Sequence, residues 1–295
     1  MDSKSPTLGF IGLGVMGGPM CCNVARKHDA PVHAYDVVPG AREAVASAGG
    51  IAARSIADVA AAADIVFLSL PGGKQVDDVC LGTNGIASAA RPGTLVVDLS
   101  TTSVADARRI SAALQAKGFL FADAPVARTR QAAQDGTLSI MVGASDDVFS
   151  RIKPLLSYMG SDVTHCGDVG CGQVVKLINN TLVFEHVAAL AEMMVVAERA
   201  GVAPETLAHA VSKGSGDSFV LRNHGVKAMV PRTFPEKAFP STYVLKDLGY
   251  SIELAESMGV EPRLPRLVEQ YYKTAIEQGL GEKYFPTIIE LIGKR

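Results

Sequence analysis

The sequence predicts an α/β fold, a doubly wound and mostly parallel sheet, followed by a domain built only of helices. Three observations predict it. Short β-branched runs alternate with alanine-rich helical segments from Leu8 to about His165. A glycine-rich turn joins the first of those strands to the first helix. Beyond Gly172 the alternation stops, and only helical patterns follow. Alternation at this spacing produces parallel strands with helices on both faces of the sheet.

In order, strands are expected at 8–11, 32–35, 65–69, 95–98, 119–123, 139–142 and 162–164. Helices at 21–26, 55–62, 75–81, 103–117 and 146–158 lie among them. The first strands are nearly continuous apolar runs, as strands covered on both faces are. The cluster Gly167, Gly170 and Gly172 marks a link, so one domain is expected over 1–165 and a second over 166–295. The second opens with one long helical pattern at 174–200 and continues with helices at 204–212, 241–258, 264–277 and 287–292. A helix as apolar as 174–200 needs burial on several faces, which makes it the spine of that domain.

The glycine turn carries the first functional signal. It reads Gly12-Leu13-Gly14-Val15-Met16-Gly17, between an apolar strand and a helix, and a second strand ends on Asp36. Gly12 lets the strand turn tightly, and Gly14 admits a pyrophosphate against bare backbone. Gly17 brings the next helix close, so that its N-terminal amides face the phosphates. Asp36 stands where a carboxylate bonds the adenosine ribose hydroxyls. The first domain is therefore expected to be Rossmann-type, with Gly12, Leu13, Gly14, Val15, Met16, Gly17 and Asp36 holding NAD. NAD is expected over NADP because Asp36 repels a 2′-phosphate and Val37-Val38-Pro39 supplies no arginine to hold one.

Composition narrows the remaining classes. The net charge of −2 leaves no basic footprint for nucleic acid, and 48% hydrophobic against 20% charged residues describes a globular chain. Met1–Thr7 is short, polar and without an apolar run, unlike a signal peptide. The apolar stretch 182–197 is interrupted by Glu185, His186 and Glu192, and is expected not to span a bilayer. Five cysteines without histidine clusters point to reduced thiols, no metal site and a cytoplasmic location.

Lys176 and Asn180 are four residues apart on the long helix and so share a face. A lysine on so apolar a helix, close to a glycine-rich link, calls for a reason. A partly desolvated lysine beside a nicotinamide cation has its pKa drawn down from about 10.4 and can exchange a proton with a hydroxyl.

Four ordered motifs give the chain a family resemblance along nearly its whole length. They are Phe10–Met20, Asp123-Ala124-Pro125-Val126 followed by Gly136-Thr137-Leu138, Gly172 to Asn180, and Lys246-Asp247-Leu248. In these the chain resembles the β-hydroxyacid dehydrogenases, the family of 3-hydroxyisobutyrate dehydrogenase and tartronate semialdehyde reductase. The resemblance implies Lys176 as the general acid/base and Asn180 as the residue that orients the substrate oxygen, with Asn179 structural. It implies further cofactor contacts from Leu70, Pro71, Gln75, Thr101 and Lys246, with Ser103 rather than Thr101 capping the next helix. Val126, Ala127, Arg128, Thr129, Asn180 and Phe239 are the implied substrate residues, at a cleft near Gly172.

One segment departs from the pattern. Where most relatives carry Ser-Gly-Gly, this chain has Ala127-Arg128-Thr129. A similar Arg-Thr occurs in the sulfolactaldehyde reductase branch, where arginine serves a sulfonate. The expectation is thus an NAD-dependent oxidoreductase for a small anionic 3-hydroxy acid or its semialdehyde, working as a homo-oligomer, dimer or tetramer. A sulfonate reductase, a non-catalytic NAD-binding sensor and an imine-reductase-like activity are the alternatives. Intact Lys176 and Asn180 weigh against the last two.

Overall fold

The computed structural model describes residues 5–236 and 238–293, so Met1–Lys4 of the segment read as unlike a signal peptide lie outside the described residues. The chain divides into two compact units, Met1–Lys176 and Leu177–Arg295.

The first unit is built on nine strands: β1 (Leu8–Ile11), β2 (Val32–Tyr35), β3 (Ile51–Ala52), β4 (Ile65–Leu68), β5 (Leu95–Asp98), β6 (Leu120–Asp123), β7 (Val126–Ala127), β8 (Leu138–Gly143) and β9 (Gly160–Gly167). They run in the order β3-β2-β1-β4-β5-β6-β8-β7, with β9 against β8. The strands from β3 through β6 are parallel, while β8 runs antiparallel to β6 and β7. Every residue of β1, β4 and β5 is buried, because helices cover both faces. Alternation along β1 sends Leu8 and Phe10 to one apolar layer and Ile11 to the other.

Helices α1 (Gly17–Lys27), α2 (Pro39–Ser47), α3 (Ile56–Ala62), α4 (Gly73–Leu81), α5 (Ile86–Ala89), α6 (Val104–Gln115), α7 (Arg130–Asp135) and α8 (Asp146–Leu156) connect the strands. Ser55, Ser103 and Ser145 cap α3, α6 and α8, each accepting from the N–H three residues on. The capping role expected of Ser103 is the one it has. Two-residue β3 and β7, four-residue α5 and six-residue α7 lie below the length at which periodicity is readable, and nine-residue α2 is an addition to the expected helices. Strand β9 extends to eight residues because it pairs along β8, with register shifts at both ends.

The second unit is helical, as expected. Helix α9 (Cys171–Arg199) starts in the first unit and continues into the second. After it come α10 (Pro204–Val211), a π-helix (Leu221–Met229), α11 (Ser241–Ser257), α12 (Arg263–Glu277) and a 3-10 helix (Phe285–Leu291). Phe184, Val187, Ala191 and Met194 of α9 pack with Val244, Leu248, Tyr272, Phe285 and Ile288 in one core. The apolar stretch 182–197 lies within a longer helix, α9. The 29-residue α9 contains an 18-residue window of mean hydropathy 1.3, long and apolar enough to cross a membrane by length and composition alone. Phe184, Val187, Ala188, Ala191, Met194 and Val195 of α9 are buried in the core just described, while Ile178, Leu182, Met193 and Val196 are exposed.

Candidate active site

The glycine loop follows β1. Gly12 has φ +94, and a side-chain carbon there would sit 2.2 Å from the Ser69 carbonyl oxygen. Gly17, the first residue of α1, approaches the turn so closely that a Cβ would lie 2.0 Å from the Gly12 carbonyl. Gly14 is different: nothing lies within 4 Å of where its Cβ would be. Its missing side chain leaves open space over the loop, which is what a bound pyrophosphate requires. Leu13 is buried, Met16 half-buried and Val15 exposed.

Asp36 stands one residue beyond β2. One carboxylate oxygen accepts the Leu13 N–H at 2.6 Å, and the other accepts the Val38 N–H at 2.8 Å. Asp36 is thereby tied to the glycine loop itself, and each oxygen keeps a lone pair for a ribose hydroxyl. The residues present fit a dinucleotide.

Two further loops leave the same C-terminal edge of the sheet. Leu70 donates its N–H to the Ser100 hydroxyl at 2.9 Å, which joins the loop after β4 to the loop after β5. Pro71 and Gln75 are exposed, Gln75 on the first turn of α4, and Thr101 is half-buried beside Ser100. These residues occupy the edge where ligands of open parallel sheets bind.

Asp123 ends β6 and is fully buried. Its two oxygens accept the Gly170 N–H at 2.6 Å and the Gln173 N–H at 2.8 Å. Burial pushes its carboxyl up to about 6, against the pull of those two donors. The motif reading included Asp123 but gave it no role. The signal was present in the sequence: an aspartate at the buried end of an apolar strand needs donors.

Lys176 lies on α9 one turn beyond Gln173 and is only 8% exposed. Within the second unit, Asn180 is also buried and donates its amide to Asp247 at 2.8 Å. Asn179 donates to the Asn180 side-chain oxygen at 3.1 Å. Lys246 pairs with Asp247 at 2.9 Å, and its ammonium lies 5.0 Å over the Tyr250 ring. Asp247 thus holds both the Asn180 amide and Lys246. Phe239 is set in an aromatic cluster with Phe184, Tyr243 and Phe285, at centroid distances of 6.1, 6.0 and 5.8 Å.

The segment 126–129 makes contacts of its own. Val126 and Ala127 form β7 against Ile140 and Ser139. Arg128 then takes a left-handed φ of +87, a conformation suited to glycine. Its guanidinium, expected to hold the substrate's anionic head, instead donates to the Thr137 carbonyl at 2.5 Å, the Ser161 hydroxyl at 2.9 Å and Asp162 at 2.6 Å. The Ser161 hydroxyl and Arg128 together hold the Asp162 carboxyl below the usual range. Thr129, expected beside Arg128 at the head group, caps α7 by accepting the Ala132 N–H.

Arg128→Gly is therefore expected to melt at a higher temperature than Arg128→Ala. Glycine adopts a positive φ freely, whereas alanine keeps a strain of about 1–2 kcal/mol without the arginine's hydrogen bonds. Thermal denaturation decides it, and an alanine variant at least as stable as the glycine one would contradict the left-handed backbone at 128.

A mostly parallel sheet with a glycine turn, an acidic residue just beyond the second strand and loops gathered at one edge defines a dinucleotide-binding domain of the Rossmann type. Comparisons with known proteins narrow the class. Residues 7–167 match the NAD binding domain of 6-phosphogluconate dehydrogenase, and residues 170–292 match the NAD-binding family model of NADP-dependent 3-hydroxyisobutyrate dehydrogenase. The 2-(hydroxymethyl)glutarate dehydrogenase of Eubacterium barkeri is 36% identical, covering 98% of this chain and 95% of that protein. The 2-hydroxy-3-oxopropionate reductase of Escherichia coli is 34% identical, covering 92% of each. A solved Mycobacterium tuberculosis 3-hydroxyisobutyrate dehydrogenase with L-serine has a TM-score of 0.85 at 30% identity, over 98% of this chain and 99% of that one. The chain belongs to the β-hydroxyacid dehydrogenase family, and with it to the NAD-dependent enzymes that act on a CH–OH group.

Proposed function

We propose that the protein oxidises a small anionic 3-hydroxy acid, or reduces the matching semialdehyde, with NAD. The observation that carries this is a pair of buried polar side chains one turn apart on an apolar helix, Lys176 at 8% and Asn180 at 7% exposure. Bound NAD supplies the hydride acceptor at the carbinol carbon. Lys176 takes the hydroxyl proton as that carbon is oxidised and returns it in the reverse direction. Asn180, its amide fixed by Asp247, orients the same oxygen. Gly12, Leu13, Gly14, Val15, Met16, Gly17 and Asp36 hold the adenosine and pyrophosphate side, with Leu70, Pro71, Gln75, Thr101 and Lys246 lining the remainder.

The head group is read as a carboxylate. Three of the five guanidinium N–H donors of Arg128 are already engaged, by the Thr137 carbonyl, the Ser161 hydroxyl and Asp162, which leaves fewer of them for a sulfonate. Val126 and Ala127, with their neighbouring backbone, and Phe239 are the proposed walls. Exposed Ile178, Leu182, Met193 and Val196 on α9 support a homo-oligomer in which a second copy covers them. Five free thiols support a cytoplasmic setting.

The test is the initial rate of NADH formation with 3-hydroxyisobutyrate, glycerate, serine, threonate, 4-hydroxybutyrate and dihydroxypropanesulfonate. A carboxylate with a 3-hydroxyl is expected to give the highest kcat/KM. Turnover of the sulfonate alone would overturn the head-group reading.

A further inference from the structure

Gln173 has no role in the reading above, and its surroundings are unusual. It is fully buried, and three of its hydrogen-bonding groups are engaged within the first unit. The backbone N–H donates to Asp123 at 2.8 Å. The side-chain amide donates to the Ser100 carbonyl at 2.8 Å and accepts the Thr102 N–H at 3.1 Å. One amide therefore brackets Thr101 on both sides, in the way a neighbouring strand would.

The first turn of α9 is pressed against the sheet at the same place. A Cβ on Gly172 would lie 2.4 Å from the Met141 carbonyl and 2.8 Å from an Asp123 oxygen. Asp123 holds Gly170 and Gln173, and Gln173 holds the loop 100–102. Lys176 follows Gln173 by three residues, less than one helical turn. The loop proposed to meet the cofactor and the turn carrying the proposed proton-transfer lysine are thus joined through one side chain.

We infer that Gln173 is a positioning residue, which fixes the distance between the Thr101 loop and Lys176 and so acts on the chemical step. This rests on the proposed role of Lys176. An amide suits the place because it donates and accepts at once, to a carbonyl and an N–H of consecutive peptides. A carboxylate there keeps the bond from Thr102 and sets an oxygen without a proton against the Ser100 carbonyl. A protonated carboxyl restores both bonds. The charged groups tied to the position among the described residues are Asp123 on β6, which accepts the Gln173 N–H, Arg108 on α6, whose charge acts on Asp123, Asp98 on β5, which accepts the Ser100 N–H, and Lys176, three residues on along α9.

Three variants test it: Gln173→Leu, Gln173→Glu and Lys176→Ala, each followed by kcat, NAD affinity and thermal denaturation. Gln173→Leu is expected to lose about 10–10²-fold in kcat at every pH, as small misplacements do, with NAD affinity changed less than about threefold. Gln173→Glu is expected to show the same loss at alkaline pH and to regain kcat, relative to the unmodified enzyme, as the pH is lowered. A Gln173→Glu profile parallel to that of the unmodified enzyme would overturn the inference. So would a loss of NAD affinity and folding in step with kcat, which marks a packing residue. Lys176→Ala with unchanged kcat would sink the reading of Lys176 by itself, since the bracket on Thr101 is judged by the Gln173→Glu profile.

Discussion

Lys176→Ala is expected to lose about 10²–10⁴-fold in kcat while keeping its affinity for NAD, the range that a general acid/base group supplies. The lysine meets the reacting oxygen, whereas the adenosine and pyrophosphate side belongs to the glycine loop and Asp36. Alanine is the strongest helix former, so the substitution keeps the local backbone of α9. Titration of the variant with NADH separates the two effects. Retained kcat, or cofactor affinity that falls in proportion, would remove Lys176 from the chemical step.

Discrimination against NADP is the second large effect. Both Asp36 oxygens are fixed by backbone N–H groups, at 2.6 and 2.8 Å, and cannot swing away from a 2′-phosphate without breaking those bonds. Val37 and Val38 are exposed and uncharged. Arg42, the nearest arginine along the chain, stacks over Tyr35 at 5.6 Å and donates to the Ala53 carbonyl at 3.2 Å. A preference for NAD of at least about tenfold in kcat/KM follows, equivalent to about 1.4 kcal/mol. Asp36→Ser is expected to narrow that ratio, mainly by raising the KM for NAD. Equal rates with both cofactors in the unmodified enzyme would contradict the role given to Asp36.

The central strands β1, β4 and β5 were readable because they are apolar runs buried on both faces. The glycine loop was readable for a related reason. Gly12 and Gly17 answer contacts of about 2 Å with fixed backbone, which no other residue tolerates. The segment 126–137 was harder to read, since its two-residue strand and six-residue helix carry no period. The pairing of Arg128 with Asp162 joins positions 34 residues apart and leaves no mark on local sequence. The same holds for Gln173 and the loop at 100–102, more than 70 residues away. Asn180 and Asp247 were each singled out from motifs, yet their hydrogen bond depends on how α9 and α11 pack. Residue types at the site follow from chemistry, and their mutual bonds follow from tertiary structure.

The most direct measurement is transfer of a carbinol deuterium. A 3-hydroxy acid labelled at the hydroxyl-bearing carbon is incubated with the protein and NAD, and the reduced cofactor is weighed by mass spectrometry. Direct hydride transfer from that carbon predicts NADH one mass unit heavier, formed in step with the semialdehyde. Unlabelled NADH, or label released to water while the acid is consumed, would contradict the assignment.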